Sequence, residues 1–450
     1  MASAPTDGRR RDGPAGPAPA QPAQARRGLL GWWNRVPLYL RIVVALVLGV
    51  VVGLVLGPSA GGLRQISNLV LQLLRALAVP LIMVAIVNSL LSARITGRTG
   101  RQLIQLLVTN MLVAVLIGLA VTNVLQPGRL AQLPAPAGQP EAKPFDPWQT
   151  LAGMLPASML GPLVDNNIIP AIVIALAAGL ALRTLDRLVE AGSPAAQGLA
   201  VTEQVLATAF QALLVMLHWI LAIIPLAVFG VIASVVGTQG FAPFVALGAF
   251  VGAVLLALAL MASFYLVRVS LQSWVRPGGF LRGGFDALAT AFSTASSAIT
   301  MPVTFECLTE EIGVRRESAS LGVFVGSPFN HDGTALYEGM AALFISQAIG
   351  QQLDLPMQVL LVFLAMLAAE GAPGIPDAGL VTMLLVFSAV RLPIEYVPLL
   401  LTVDWFLDRC RTAINVMGDL TVSSILDGRE RHDPDLLLPP SVGQAVPARL

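Results

Sequence analysis

Apolar runs of the length needed to cross a hydrocarbon core, about 20 residues in a helix, recur along nearly the whole chain. Residues 42–56 with their flanks, 69–91 and 241–267 are examples. The pattern predicts several helical spans and little room for a soluble domain. The first 36 residues break it, being rich in Pro, Ala, Gly and Arg with almost no apolar periodicity. Such a segment cannot bury enough surface to fold alone, so residues 1–36 are expected to form a disordered cytoplasmic tail. The first apolar run, residues 37–57, is too long for a signal-peptide core and opens directly into further spans; it is expected to remain as the first helix.

Up to residue 267 the spans carry few polar groups at membrane depth: Arg75, Asn88, Thr109, Asn110 and His218. The second half differs in kind, because Gly, Pro, hydroxyl and carboxylate residues interrupt its apolar segments. Non-helical backbone is tolerated at membrane depth only where it lines a cavity or is buried in protein, and paired broken segments point to a transporter site. The first break, with Ser293, Thr294, Ser296, Ser297, Thr300 and Pro302, has arms of only about a dozen residues, too short to span, which suits a re-entrant hairpin. Its hydroxyls suit a substrate carboxylate. The second break, Gly326 to Thr334 with Pro328, Asn330, His331 and Asp332, lies inside an apolar stretch and would free carbonyls beside a carboxylate, oxygen ligands that suit a hard cation such as sodium. Glu338 follows one turn after Thr334. The third break runs from Glu370 through Gly371, Pro373 and Gly374 to Gly379, again between short apolar arms, and reads as a second hairpin with a tip able to act as a gate. For each break, an extramembrane loop or turn is the competing reading.

Composition agrees with the pattern: 56% of the 450 residues are hydrophobic and 12% charged, against about 25% charged in soluble domains. A net charge of +1 gives no sign of a nucleic-acid partner, and Cys307 and Cys410 lie too far apart to form a metal or disulfide motif. Arg9, Arg10, Arg11, Arg26, Arg27 and Arg35 precede the first span, and Arg94, Arg98 and Arg101 separate the second from the third. Both clusters can lie inside, which puts the N-terminus in the cytoplasm and the Pro-rich residues 126–150 outside.

The last apolar segment carries the strongest chemistry. Asp404, Asp408, Arg411, Thr412, Asn415 and Asp419 are 4, 3, 1, 3 and 4 residues apart, so on a helix they share an arc of roughly 100°. Each such charge costs about 2.5 to 3.5 kcal/mol at mid-membrane unless it faces its partners, water, ions or substrate. Arg411 offers a fork that matches a carboxylate, and Asp408 would pair with an ammonium group. Together they describe an amino acid with a side-chain carboxylate. Asn415 and Asp419 could meet Asn330 and form a cation site. An intramembrane aspartyl protease is the rival from another class, but Asp404 and Asp408 sit on one helix rather than face to face; no enzyme activity is expected. A channel or sensor on the same fold is a further rival.

These residues carry a resemblance. Residues 292–427 resemble the dicarboxylate/amino acid:cation symporter family, which includes the glutamate transporters. Four motifs occur in order: Ser296-Ser297 with Thr300-Met301-Pro302-Val303-Thr304, Asn330-His331-Asp332-Gly333-Thr334-Ala335-Leu336-Tyr337, the stretch from Gly371 to Gly379, and DRCRTAINVMGD at residues 408–419. The resemblance implies an all-α polytopic membrane protein with eight transmembrane helices, two re-entrant helical hairpins, an elevator mechanism and a homotrimer in a bacterial inner membrane. Residues 37–270 would be mainly scaffold, with the third span assigned to the moving part. Residues 271–428 would be the transport core and residues 429–450 a C-terminal tail.

By motif position, Ser296, Ser297, Thr334, Asp408, Arg411, Thr412 and Asn415 would bind substrate. Gly326, Asn330, Asn415 and Asp419 would hold one sodium ion. Asp332 with Asn330, and Thr109 with Asn110, resemble a second cation site. Glu338 falls where proton-coupled relatives carry glutamate, so Glu338 and His331 are candidate proton carriers. Glu370, Gly371, Pro373 and Gly374 would form the gate. Coupling to sodium, protons or both is therefore implied, with aspartate or glutamate as cargo and a C4-dicarboxylate as the alternative; no cofactor is implied. The chain departs from the family at His331 and Pro328 in the broken helix and at Ala369, Glu370, Ala372 and Pro373 in the second tip, which puts one sodium site in doubt.

Overall fold

The structure, a computed structural model, describes residues 36–92, 97–131, 133, 152, 155–190, 192–351, 353–370, 374 and 379–430. The N-terminal tail up to residue 35, the C-terminal tail from residue 431, most of the Pro-rich loop, and Gly371 and Pro373 of the expected gate lie outside the described residues. Among the described residues the elements are helical, with no strands.

Five stretches are long and apolar enough to cross a membrane: Leu40–Asn88, Thr99–Leu130, Ile169–Leu188, Pro194–Gln239 and Ala242–Gln272. The first is two helices, α1 (Leu38–Leu56) and α2 (Arg64–Ser92), joined by the 3-10 turn Gly57–Leu63. Gly57 ends α1 with φ of 53°, and Pro58 then opens the turn. The others are α3 (Gly97–Leu125), α4 (Ile168–Leu188), α5 (Pro194–Gln239) and α6 (Ala242–Gln272). Ser193 caps α5 by accepting from the Ala196 amide at 3.2 Å.

The C-terminal elements are shorter. Helices α7 (Phe285–Thr294) and α8 (Ser297–Glu306) form a hairpin that turns at Ala295, with φ of 51°. A short helix Arg316–Ser320, the π turn Leu321–Gly326 and the 3-10 turn Ser327–Phe329 lead to an irregular pair, Asn330 and His331, before α9 (Asp332–Ala348) resumes. A second pair of short arms, α10 (Leu355–Glu370) and α11 (Gly379–Ala389), precedes α12 (Val397–Leu426).

The packing divides the helices into two groups. Helices α1, α2 and α4 gather on α5 and on one another. Small residues let the backbones touch: a Cβ at Gly237 would lie 2.2 Å from the Gly57 carbonyl oxygen, which no other residue type avoids. Helices α3 and α6 instead pack with the C-terminal elements, α3 on α9 and α6 on α12. Phe250 of α6 stacks on Phe344 of α9 at 4.5 Å between ring centres. One end of this second group is tied by Asp427, which accepts from the Trp274 indole and from the Arg315 guanidinium, each at 2.8 Å.

Candidate functional site

Pro398 opens α12 in its first turn, and from there the polar stripe runs into the interior. Arg411 is fully buried, with Nη1 3.0 Å from an Asp404 oxygen and Nη2 donating to Asp408 at 2.9 Å. The Tyr337 ring of α9 lies under the guanidinium, 4.0 Å from its carbon to the ring centre. Backbone comes close on two further sides, since a Cβ on Gly333 would sit 2.7 Å from the Arg411 carbonyl and one on Gly379 would be 3.4 Å from Nη2. The Thr412 hydroxyl donates to the Asp408 carbonyl at 2.8 Å. The stripe thus carries a fork-shaped cation flanked by two carboxyl groups, a set of formal net charge −1, packed against α9 and α11.

One turn further along, α12 meets the broken helix. Asn330 donates to Asp419 at 2.7 Å and to the Asn415 carbonyl at 3.2 Å, while the Asn415 side-chain oxygen accepts from the Gly333 amide at 2.8 Å. Asn415 Nδ2 lies 3.4 Å from the Thr334 hydroxyl. Only a glycine fits at position 418, where a Cβ would come within 2.5 Å of Asn330 Nδ2 and 2.7 Å of the Tyr265 hydroxyl. Two oxygens here are buried without a hydrogen bond, Asn330 Oδ1 and Asp332 Oδ1, and the buried Ser327 hydroxyl lies beside Asp419. Oxygens left bare inside a protein are costly, and carboxylate, amide and hydroxyl oxygens are the donors a hard cation takes. Gly326 is buried at the end of the adjoining π turn.

A second polar cluster lies behind the first. The Tyr265 hydroxyl donates to Asp332, and Arg268 donates to Asn110. Asn110 is buried, whereas its neighbour Thr109 is exposed and is not brought into the cluster. Tyr265 and Arg268 were not among the expected site residues. The signal was available in a Tyr, an Arg and a Gln at 265, 268 and 272, one helical face at the end of an otherwise apolar run.

The turn between α7 and α8 meets Gly374. Ser296 caps α8 by accepting from the Ile299 amide at 3.2 Å, and its hydroxyl donates to the Gly374 carbonyl at 2.7 Å. The Ala298 amide donates to the same carbonyl at 3.2 Å, and Ser297 lies against Gly374. Arg409 closes the other side of the turn by donating to the Phe292 carbonyl at 3.0 Å and to that of Ser293, countering the negative end of α7. Ser296, Ser297, Asn330 and Asp332 are all buried against other elements of the chain.

Glu338 is fully buried beside Thr382 and in the field of Arg411 and Asp404. The Thr382 hydroxyl, however, donates to the Gly379 carbonyl at 3.1 Å, and neither Glu338 oxygen makes a hydrogen bond of its own. His331 is buried against the Ala369 backbone, and Glu370 is half-buried at the end of α10.

Comparison with known proteins places the chain among membrane transporters. The profile of the sodium:dicarboxylate symporter family matches residues 38–429. An excitatory amino acid transporter of Caenorhabditis elegans is 48% identical over 159 residues, 35% of this chain and 32% of that protein. Human excitatory amino acid transporter 2 is 52% identical over 143 residues, 32% of this chain and 25% of its own length. Human excitatory amino acid transporter 1 is 41% identical over 183 residues, 41% of this chain and 33% of its own. The chain thus spans about a third or less of the length of the curated relatives it matches. The match with the family profile, by contrast, covers most of the chain and takes in the apolar helices as well as the buried polar stripe, so this multi-pass membrane protein belongs to the sodium:dicarboxylate symporter family.

Proposed function

We propose that the protein is a secondary active symporter that takes up an acidic amino acid, aspartate or glutamate, with sodium as the coupling ion. The observation that carries the reading is Arg411, wholly buried and held by Asp404 and Asp408 of its own helix. The cargo's side-chain carboxylate takes the guanidinium fork, its ammonium takes Asp408, and Thr412, Asn415, Thr334, Ser296 and Ser297 line the remainder. The Arg411 set is already net negative, so an acidic amino acid cannot enter it without added positive charge. That requirement is the physical basis of coupling. Sodium at Gly326, Asn330, Asn415 and Asp419 supplies it one helical turn away. In this reading eight helices cross the membrane, the hairpins α7–α8 and α10–α11 enter from opposite sides, and the C-terminal group slides against the α1, α2, α4 and α5 scaffold in a trimer. Gly374, with Glu370, Gly371 and Pro373, forms the gate.

A second reading adds protons. A buried carboxylate with neither oxygen hydrogen-bonded is costly, and a proton taken up by Glu338 removes that cost, with His331 at the neighbouring backbone as a second candidate. The dicarboxylate alternative brings no ammonium to pair with Asp408 once its own carboxylate has taken the Arg411 fork.

The test is uptake of labelled L-aspartate into proteoliposomes under an inward sodium gradient, an inward proton gradient or neither, with succinate as competitor. Accumulation driven by sodium and weakly inhibited by succinate is expected. Accumulation under a proton gradient alone moves the coupling to Glu338. No accumulation under any gradient, with Arg411→Ala equal to the parent, sinks the assignment.

A further inference from the structure

The second polar cluster holds two carboxylates and one built-in cation. Asp419 accepts from Asn330, Gly418 lies against both Asn330 and the Tyr265 hydroxyl that donates to Asp332, and Arg268 reaches in from α6. Arg268 is buried, and it is braced along its own helix by Gln272, which accepts from Nη2 at 3.1 Å, and by the Phe264 ring, 5.7 Å from the guanidinium carbon. From there it donates to Asn110 Oδ1 and acts electrostatically on Tyr265 and Asp332. The oxygens of Asn110 and Asp332 were expected to hold a second mobile cation. The Asn110 oxygen is instead spent on the guanidinium, and the cation that acts on Asp332 is fixed to the chain.

We infer that Arg268 is a tethered cation that takes the place of one coupling ion, leaving the Asn330–Asp419 cluster as the remaining mobile-cation site on this side of α12. A guanidinium stays charged at every working pH, so it neutralises Asp332 in the loaded and the empty protein alike and carries no ion across. The inference rests on the cation-coupled reading above and concerns how many ions that coupling uses. Removing the tether should uncover a second cation site made of Asn110, Asp332 and the bare Asn330 oxygen.

The test is the thermal stability of the purified full-length protein without substrate, titrated with sodium chloride against choline chloride. Ligand that binds only the folded state raises Tm. For Arg268→Met, the sodium-dependent rise should exceed that of the parent by about 2–4 °C, with a steeper dependence on sodium concentration. Arg268→Lys should stay near the parent. Arg268→Met combined with Asp332→Asn removes both charges and should return the response to the parental one. A response in Arg268→Met equal to or smaller than the parental one overturns the inference, as does failure of both Met-containing variants to fold in sodium. If only the single variant fails to fold without sodium and is rescued by it, the inference stands. A parent that responds neither to sodium nor to aspartate counts against the proposed function instead.

Discussion

Helices α5 and α12 are both long, but the buried part of α5 is almost wholly apolar whereas α12 buries a charged stripe beside its apolar residues. α5 buries Leu214, Leu217, Leu221, Val228 and Val231 and is positioned by shape, with Gly237 letting it touch the turn after α1. α12 also buries Asp404, Asp408, Arg411, Asn415 and Asp419, and adds hydrogen bonds such as Asn330 to Asp419 to its apolar packing. An apolar helix needs only complementary neighbours. A charged one needs its counter-charges to come with it, and α12 provides most of them itself: Arg411 pairs with carboxylates three and seven residues before it. The ion set therefore depends little on the scaffold, which suits a helix proposed to move.

Three experiments would break or sharpen this contrast. The largest effect is expected from Arg411→Ala, which leaves Asp404 and Asp408 buried without a counter-charge at a cost of about 3–5 kcal/mol. Aspartate uptake in proteoliposomes should fall roughly 100-fold or more, since about 2.7 kcal/mol already corresponds to two decades. Leu217→Ala in α5 should cost a comparable amount in stability, about 2–5 kcal/mol, and leave the sodium dependence of uptake unchanged. If the two variants alter sodium dependence alike, the contrast between the helices fails.

Gly418→Ala comes next. Its methyl would press on Asn330 and Tyr265, an overpacking of about 1–3 kcal/mol, and the sodium concentration for half-maximal uptake should rise about tenfold. An unchanged sodium titration would separate Asn330 and Asp419 from the cation.

The smallest effect is expected at Asp427, beyond the end of α12. Burial alone would push its carboxyl up, but the hydrogen bonds from Arg315 and Trp274 win and hold it below the usual 3.8. A folded value lowered in this way contributes stability at pH above the ordinary aspartate range, and that stability fades as pH falls through the lowered value. Arg315 is 35% exposed, so screening limits the contribution to about 1 kcal/mol or less. Asp427→Asn should therefore lower Tm at neutral pH, and the difference should shrink as pH falls below the ordinary aspartate range. Parallel curves for parent and variant across that range would show that the charge of Asp427 does not hold the clamp.

The stripe on α12 was legible because helical periodicity is local: residues three and four apart share a face wherever the helix lies. The breaks were legible for a similar reason, since Pro328 and the glycines around it disrupt a helix in any surroundings. The contact of Asn330 with Asp419 could be anticipated because buried polar groups must find one another. Periodicity does not say which of two neighbours faces inward, and Thr109 and Asn110 fall on opposite sides of that question.

By itself, then, the sequence determined which segments are apolar, where they break, and that a fork-shaped cation and its carboxylates share one helix face. The tertiary structure alone decided that Arg268 of α6 reaches Asn110, 158 positions away along the chain, and that the turn between α7 and α8 closes on Gly374. The physical reason is that secondary structure follows from backbone and side-chain preferences within a few residues. The pairing of distant polar groups follows from how whole helices pack, and that is settled by the fit of their apolar faces.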